Sequence, residues 1–181
     1  MINRLLNSIR MLIVRWALGS YDRRIKTTEL TLCKCWENVG SFLVLWPAKG
    51  LDIVAAEIVL NRLQERFPGV CITLLALPGI GASPPAEMNV KVIKVNKKSF
   101  NILGLPHRRL RDEILAVRAD VAIDLSPRFN VLSAYLCRIS RARVSVSFAD
   151  PRGDTAYNFQ VAPGPKREGL DRYRTLARYI G

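Results

Sequence analysis

The chain has 181 residues, 49% of them hydrophobic, and its 28 Lys and Arg against 15 Asp and Glu give a net charge of +13. That length allows one compact domain burying about 70% of its unfolded surface, and the composition is ordinary for a globular protein and excludes dependence on a disulfide scaffold. The charge points to anionic partners, namely nucleic acid, acidic lipid or phosphorylated glycan, without choosing among them.

Residues 1–26 read as a basic amphipathic helix. Ile2, Leu5, Leu6, Ile9, Leu12, Ile13 and Trp16 fall on one face, Arg4, Asn7, Arg10 and Arg15 lie towards others, and Arg23, Arg24 and Lys26 follow. The longest apolar run, Met11 to Val14, ends at Arg15, far below the roughly 20 residues needed to cross a bilayer. The same Arg splits the stretch that a cleavable signal requires. Two readings stay open. The helix lies in the plane of an anionic leaflet, each basic group adding about 1 kcal/mol, or its apolar stripe packs on protein, whether its own core or another subunit. Residues 1–40 form this helix and its linker, and 41–181 the folded domain.

Cys33, Cys35, Cys71 and Cys137 are too sparse for a framework, and Cys33-Lys34-Cys35 lacks metal-ligand spacing. Free thiols in a reducing cytosol are expected, with no metal and no cofactor.

The apolar run at 42–46 predicts a parallel-sheet strand, 47–51 a short loop, and the helical recurrence of Ile53, Ala56, Leu60, Leu63 and Phe67 a helix over 53–67 that stops at Pro68-Gly69. Strands follow at 70–77, 90–95, 120–125, 143–148 and 156–161, and helices at 107–118, 129–140 and 168–180. Loops fall at the Pro- and Gly-rich breaks 78–89 and 149–155. Alternation with helical crossovers implies a single, right-handed, Rossmann-like parallel sheet with flanking helices, an α/β domain.

Several motifs read as structure. Gly79-Ile80-Gly81 ends in two prolines, where a dinucleotide fingerprint needs a helix. His107 is the only histidine and opens a solvated helix. Lys91, Lys94, Lys97, Lys98, Arg108, Arg109 and Arg111 could track a phosphate backbone, but no aromatics are interleaved for base stacking. Nucleic acid therefore ranks below membrane and protein as a partner.

Asp52 is the leading candidate for chemistry, because it falls where the first strand meets its helix, at the carboxyl edge where open α/β sheets bind ligands. The competing role is helix capping, on the order of 1 kcal/mol. Lys49 and Gly50 share that loop. Asp124, Ser126 and Arg128 follow the fourth strand, and Asp150 and Arg152 the fifth. One carboxylate with several basic groups suits an anionic sugar or a lipid-linked phosphate. Asp124 has a second reading, as the cap of its own loop.

Residues 42–69, with Asp52 and the terminal Phe67-Pro68-Gly69, resemble the opening of glycosyltransferase family 9, the lipopolysaccharide heptosyltransferases. Ala119-Asp120-Val121-Ala122-Ile123-Asp124-Leu125-Ser126, Ala142 to Phe148, and the final helix from Gly169 to Gly181 resemble later elements of the same family. Where that family has Gly directly before the Asp, this chain has Leu51, and where it has an early helix Pro, this chain has Ile58. The resemblance implies the acceptor-side half of a two-domain glycosyltransferase B-type fold, with Asp52 in the place of the proposed general base that deprotonates an acceptor hydroxyl.

The sugar-nucleotide side of such an enzyme would be the second domain, which the sequence does not contain. The expectation is therefore a heptosyltransferase-like protein that does not catalyse alone and serves as a membrane-associated binding or assembly subunit, cytoplasmic and peripheral on the inner membrane. Its partners would be an anionic membrane surface or another protein subunit, with a phosphorylated glycan or glycolipid as ligand. The alternative is the acceptor-binding half of a glycosyltransferase whose donor domain comes from a partner chain.

Overall fold

The computed structural model describes residues 36–47, 50–77, 90–154, 156–162 and 169–180, together with Leu12. Of the amino-terminal segment, only Leu12 is described; it is helical and 65% exposed. Ile2, Arg4, Leu5, Ile9, Arg10, Arg15 and Trp16 lie outside the described residues, as do Lys49 and the loop at 78–89. Among the described residues, no helix is long and apolar enough to cross a membrane.

Six strands form one sheet: β1 Ser41–Trp46, β2 Cys71–Ala76, β3 Lys91–Lys94, β4 Val121–Asp124, β5 Val144–Phe148 and β6 Phe159–Val161. They run in the order β3-β2-β1-β4-β5-β6, and every pairing is parallel. Four helices are described: α1 Gly50–Arg66, α2 Arg108–Ala116, α3 Val131–Ser140 and α4 Leu170–Ile180. A parallel sheet needs crossovers, and crossovers cover both of its faces, which is why β1 is buried from Phe42 to Trp46 without a polar interruption.

Side-chain parity sorts the core into two layers. Phe42, Val44 and Trp46 of β1 point to the face where Ala56, Val59, Leu60 and Leu63 of α1 meet Tyr173, Leu176 and Ile180 of α4. Leu43 and Leu45 point to the other, against Leu110 and Ile114 of α2 and Leu136 and Ile139 of α3. Helix ends follow local chemistry. The Asn130 side chain caps α3 by accepting from Leu132 N at 2.9 Å, and α1 gives way at Pro68 to Gly69, whose φ of +79° suits glycine.

Most boundaries fall within two residues of those read in the sequence, and two differ by three. The helix expected from residue 53 begins at Gly50, so Asp52 sits inside the first turn and the loop after β1 is shorter than 47–51. The last strand is also shorter than 156–161, because side chains replace the ladder at its start. Asn158 Oδ1 accepts from Ser145 N at 2.7 Å, and Asn158 N donates to Ser145 Oγ at 3.2 Å.

At the amino edge of the sheet, Asp120 Oδ2 accepts from Gly40 N at 2.9 Å, Ser41 N at 3.0 Å and Ser41 Oγ at 3.2 Å. One carboxylate thus ties the entry of β1 to the entry of β4. Asp120→Ala strands these donors beside a half-buried strand end, and is expected to cost about 1–3 kcal/mol, measured as a lowered urea midpoint with an unchanged m-value.

Candidate functional site

The sheet reverses direction of growth between β1 and β4, so the loops leaving their carboxyl ends diverge and open a crevice. Asp52, third residue of α1, lies on the β1 side, half-buried. It lies near Tyr173 in the first turns of α4, whose hydroxyl pKa is raised by burial first and by the Asp52 charge next. The same hydroxyl donates to the Leu125 carbonyl just beyond β4, at 2.9 Å. Tyr173 is fully buried and therefore a fixed post, spanning the mouth between the two strands. Beside it, Arg172 donates to the Pro127 carbonyl, and its guanidinium lies 5.4 Å from the Phe148 ring centre.

Asp124 occupies the other face of the same edge. It is 2% exposed. Its Oδ1 accepts from Ser126 N at 2.9 Å, the geometry of a carboxylate closing its own turn, and its Oδ2 accepts from Tyr157 Oη at 2.5 Å. Burial raises the Asp124 pKa above the ordinary carboxylate range, opposed by the hydrogen bonds from Ser126 and Tyr157. Burial and the Asp124 charge push the Tyr157 and Cys137 groups up in turn. A carboxylate so enclosed organises the edge and is not presented to a ligand.

The remaining groups stand around this frame. Gly50 opens α1. Ser126 is half-buried, its Oγ 3.4 Å from Ser133 Oγ, while Arg128 is exposed on the loop after β4. Arg152 forks onto Asp150, with Nε 2.9 Å and Nη2 2.7 Å from its carboxylate oxygens, and stacks 5.5 Å above Phe129. This pairing holds the Asp150 pKa down at about 2, and the stacking on Phe129 joins the loops after β4 and β5. Parallel pairing thus brings Asp52, Ser126, Arg128 and Arg152 to one edge; Lys49 lies outside the described residues. Among the described residues, no group of three or more His, Cys, Asp or Glu could hold a metal ion.

Three groups here were not singled out from the sequence: Tyr157, Tyr173 and the buried Trp46 indole, whose N–H has no partner among the described residues. Tyr173 carried a legible signal. It lies on the stripe of Leu176, Ala177 and Ile180, one turn into a helix that reaches the carboxyl edge.

No family model and no curated protein sequence matches the chain. Solved structures do. The structure of E. coli heptosyltransferase WaaC with ADP aligns at a TM-score of 0.60 and 20% identity, over 76% of this chain and 45% of that one. A glycosyl transferase family 9 protein from Veillonella parvula aligns at 0.58 and 17%, over 86% and 44%. E. coli ADP-heptose lps heptosyltransferase II aligns at 0.50 and 21%, over 76% and 40%. The chain shares the fold of these glycosyltransferases. It spans less than half the length of each, so the likeness is to part of their structure.

Proposed function

We propose that this domain is the acceptor-side unit of a family 9, heptosyltransferase-like glycosyltransferase, and that on its own it binds its ligand without transferring a sugar to it. The observation that carries the reading is the placement of Asp52 at the switch point, near Tyr173, within a fold shared with heptosyltransferases. The ligand is a phosphorylated glycan or glycolipid, its anionic groups met by Arg128 and by the outer N–H groups of Arg152. As a binding or assembly subunit the chain would work at the cytoplasmic face of the inner membrane, held there by anionic lipid or a protein partner through residues 1–26.

The position of Asp52 favours a second, more active form of the same reading. Given a sugar nucleotide held opposite, Asp52 takes the proton of the acceptor hydroxyl as its oxygen bonds to the anomeric carbon, and the nucleoside diphosphate leaves with the electron pair of the broken bond. The donor site then belongs to a unit apposed to this edge, supplied by a partner chain. Bringing the two reactants together accounts for much of such a rate.

Titration with a phosphorylated lipopolysaccharide-core oligosaccharide tests the binding step. Amide shifts are expected around residues 50–54, 125–129 and 150–153, with Arg128→Ala weakening affinity about tenfold through loss of a charge-assisted hydrogen bond. Shifts confined to other surfaces would remove the acceptor reading.

A further inference from the structure

The segment between β3 and α2 has a composition that the acceptor site does not use. No Asp or Glu occurs between residues 90 and 111, whereas Lys94, Lys97 and Lys98 precede a short loop and Arg108, Arg109 and Arg111 follow it, all six exposed. At the tip of that loop stand two adjacent aliphatic side chains, Ile102 at 83% and Leu103 at 41% exposure. Single exposed aliphatics are common on soluble proteins; an adjacent pair at a loop tip flanked on both sides of the sequence by exposed cations is not.

The tip is held by its own hydrogen bonds. Asn101 Oδ1 accepts from Leu103 N and Leu105 N, both at 3.0 Å, Asn101 N donates to Leu105 O at 2.9 Å, and Gly104 N donates to Asn101 O at 2.9 Å. Gly104 supplies the positive φ, +78°, that the turn requires. The neck is closed by the bridge of Phe100 with Pro106 and by His107 N donating to Ser99 O at 2.9 Å, and Phe100 and Leu105 pack on the second core layer. A loop that satisfies these backbone groups internally enters an apolar medium without leaving them unpaired.

We propose that this loop docks on an anionic lipid bilayer, Ile102 and Leu103 entering the interface while Lys97 and Lys98 lie among the headgroups. The charge beside the tip favours an anionic bilayer over a protein partner. Arg108 and Arg109 lie 3.6 and 3.2 Å from Asp112 and Glu113 one turn further on, while Lys97 and Lys98 have no carboxylate partner among the described residues and keep their charge for an anionic surface. The loop leaves the carboxyl end of β3, so docking turns the edge that carries Asp52 towards the lipid. The proposal needs neither the amino-terminal segment nor the acceptor reading, which stands if docking fails.

The test uses the full chain and vesicles of phosphatidylglycerol with phosphatidylcholine, against phosphatidylcholine alone. To separate the loop from residues 1–26, Ile102→Trp reports locally, and its difference emission is expected to shift to the blue on anionic vesicles. Ile102→Ser with Leu103→Ser is expected to weaken co-sedimentation about tenfold, and Lys97→Glu with Lys98→Glu by about thirtyfold or more, since each lysine near the surface is worth roughly fivefold. These positions are exposed, so thermal unfolding should be unchanged in both variants. An unshifted Trp emission with unchanged sedimentation of the serine variant overturns the proposal. So does concentration-dependent dimerisation that the serine variant abolishes without any lipid response, which assigns the tip to a second copy of the chain.

Discussion

Asp52→Asn is expected to lower sugar transfer by roughly 10²–10⁴-fold, the usual contribution of a positioned general base, when the domain is assayed with a sugar-nucleotide-binding unit and an acceptor. Asn preserves the volume and hydrogen-bonding reach of Asp in the first turn of α1, but it cannot take a proton. The structural cost is small, because what is lost at the helix start is one negative charge near its dipole, about 0.3–1 kcal/mol. Tyr173 stays in place through the Leu125 carbonyl, so the geometry of the crevice is kept. Acceptor affinity and thermal unfolding should therefore change little while turnover collapses. Activity retained at the level of the unmodified chain would leave Asp52 only its favourable charge at the helix start, the role its position in the first turn already explains.

What the sequence disclosed depended on the range of the interaction. Elements set by nearest neighbours were legible. The continuous apolar run of β1, the spacing of Ala56, Leu60 and Leu63, and the Pro68-Gly69 stop follow from burial on two faces, helical period and backbone chemistry, all local. α1 starts three residues before the expected position, since Gly50 and Leu51 carry no capping signal in the sequence. Asp124 shows the limit from the other side. Its place after a strand made it look like a ligand group, but Tyr157, 33 residues on, closes over it. Tyr173 reaches Leu125 across 48 residues. Such contacts exist only once β4, β5 and α4 are assembled, and no local pattern encodes them.

The buried Asp124 and Tyr157 pair yields the second large effect. Tyr157→Phe keeps the ring, which belongs to the second core layer, and removes only the hydroxyl that donates to Asp124 Oδ2 at 2.5 Å. Where Asp124 is ionised, the variant leaves a buried carboxylate short of a donor, at a cost of about 2–3 kcal/mol. The pH dependence has a definite sign. Burial raises the folded pKa of Asp124 above its unfolded value, so the folded state binds more proton and stability falls as pH climbs from the ordinary carboxylate range to the raised value. The Tyr157 hydroxyl opposes that rise. Removing it lifts the folded pKa further, so the fall extends to higher pH and is deeper. The cost of Tyr157→Phe should thus shrink to about 1 kcal/mol as pH falls through the raised folded pKa, where Asp124 takes up its proton and the lost bond becomes that of a neutral pair. Asp124→Asn removes the titration, and in that background Tyr157→Phe should cost nearly the same at every pH. Urea midpoints for the four chains across a pH series from the ordinary carboxylate range upward check this as a double-mutant cycle. A cost for Tyr157→Phe that ignores pH in the chain retaining Asp124 would mean that the hydroxyl serves packing and not the charge beneath it.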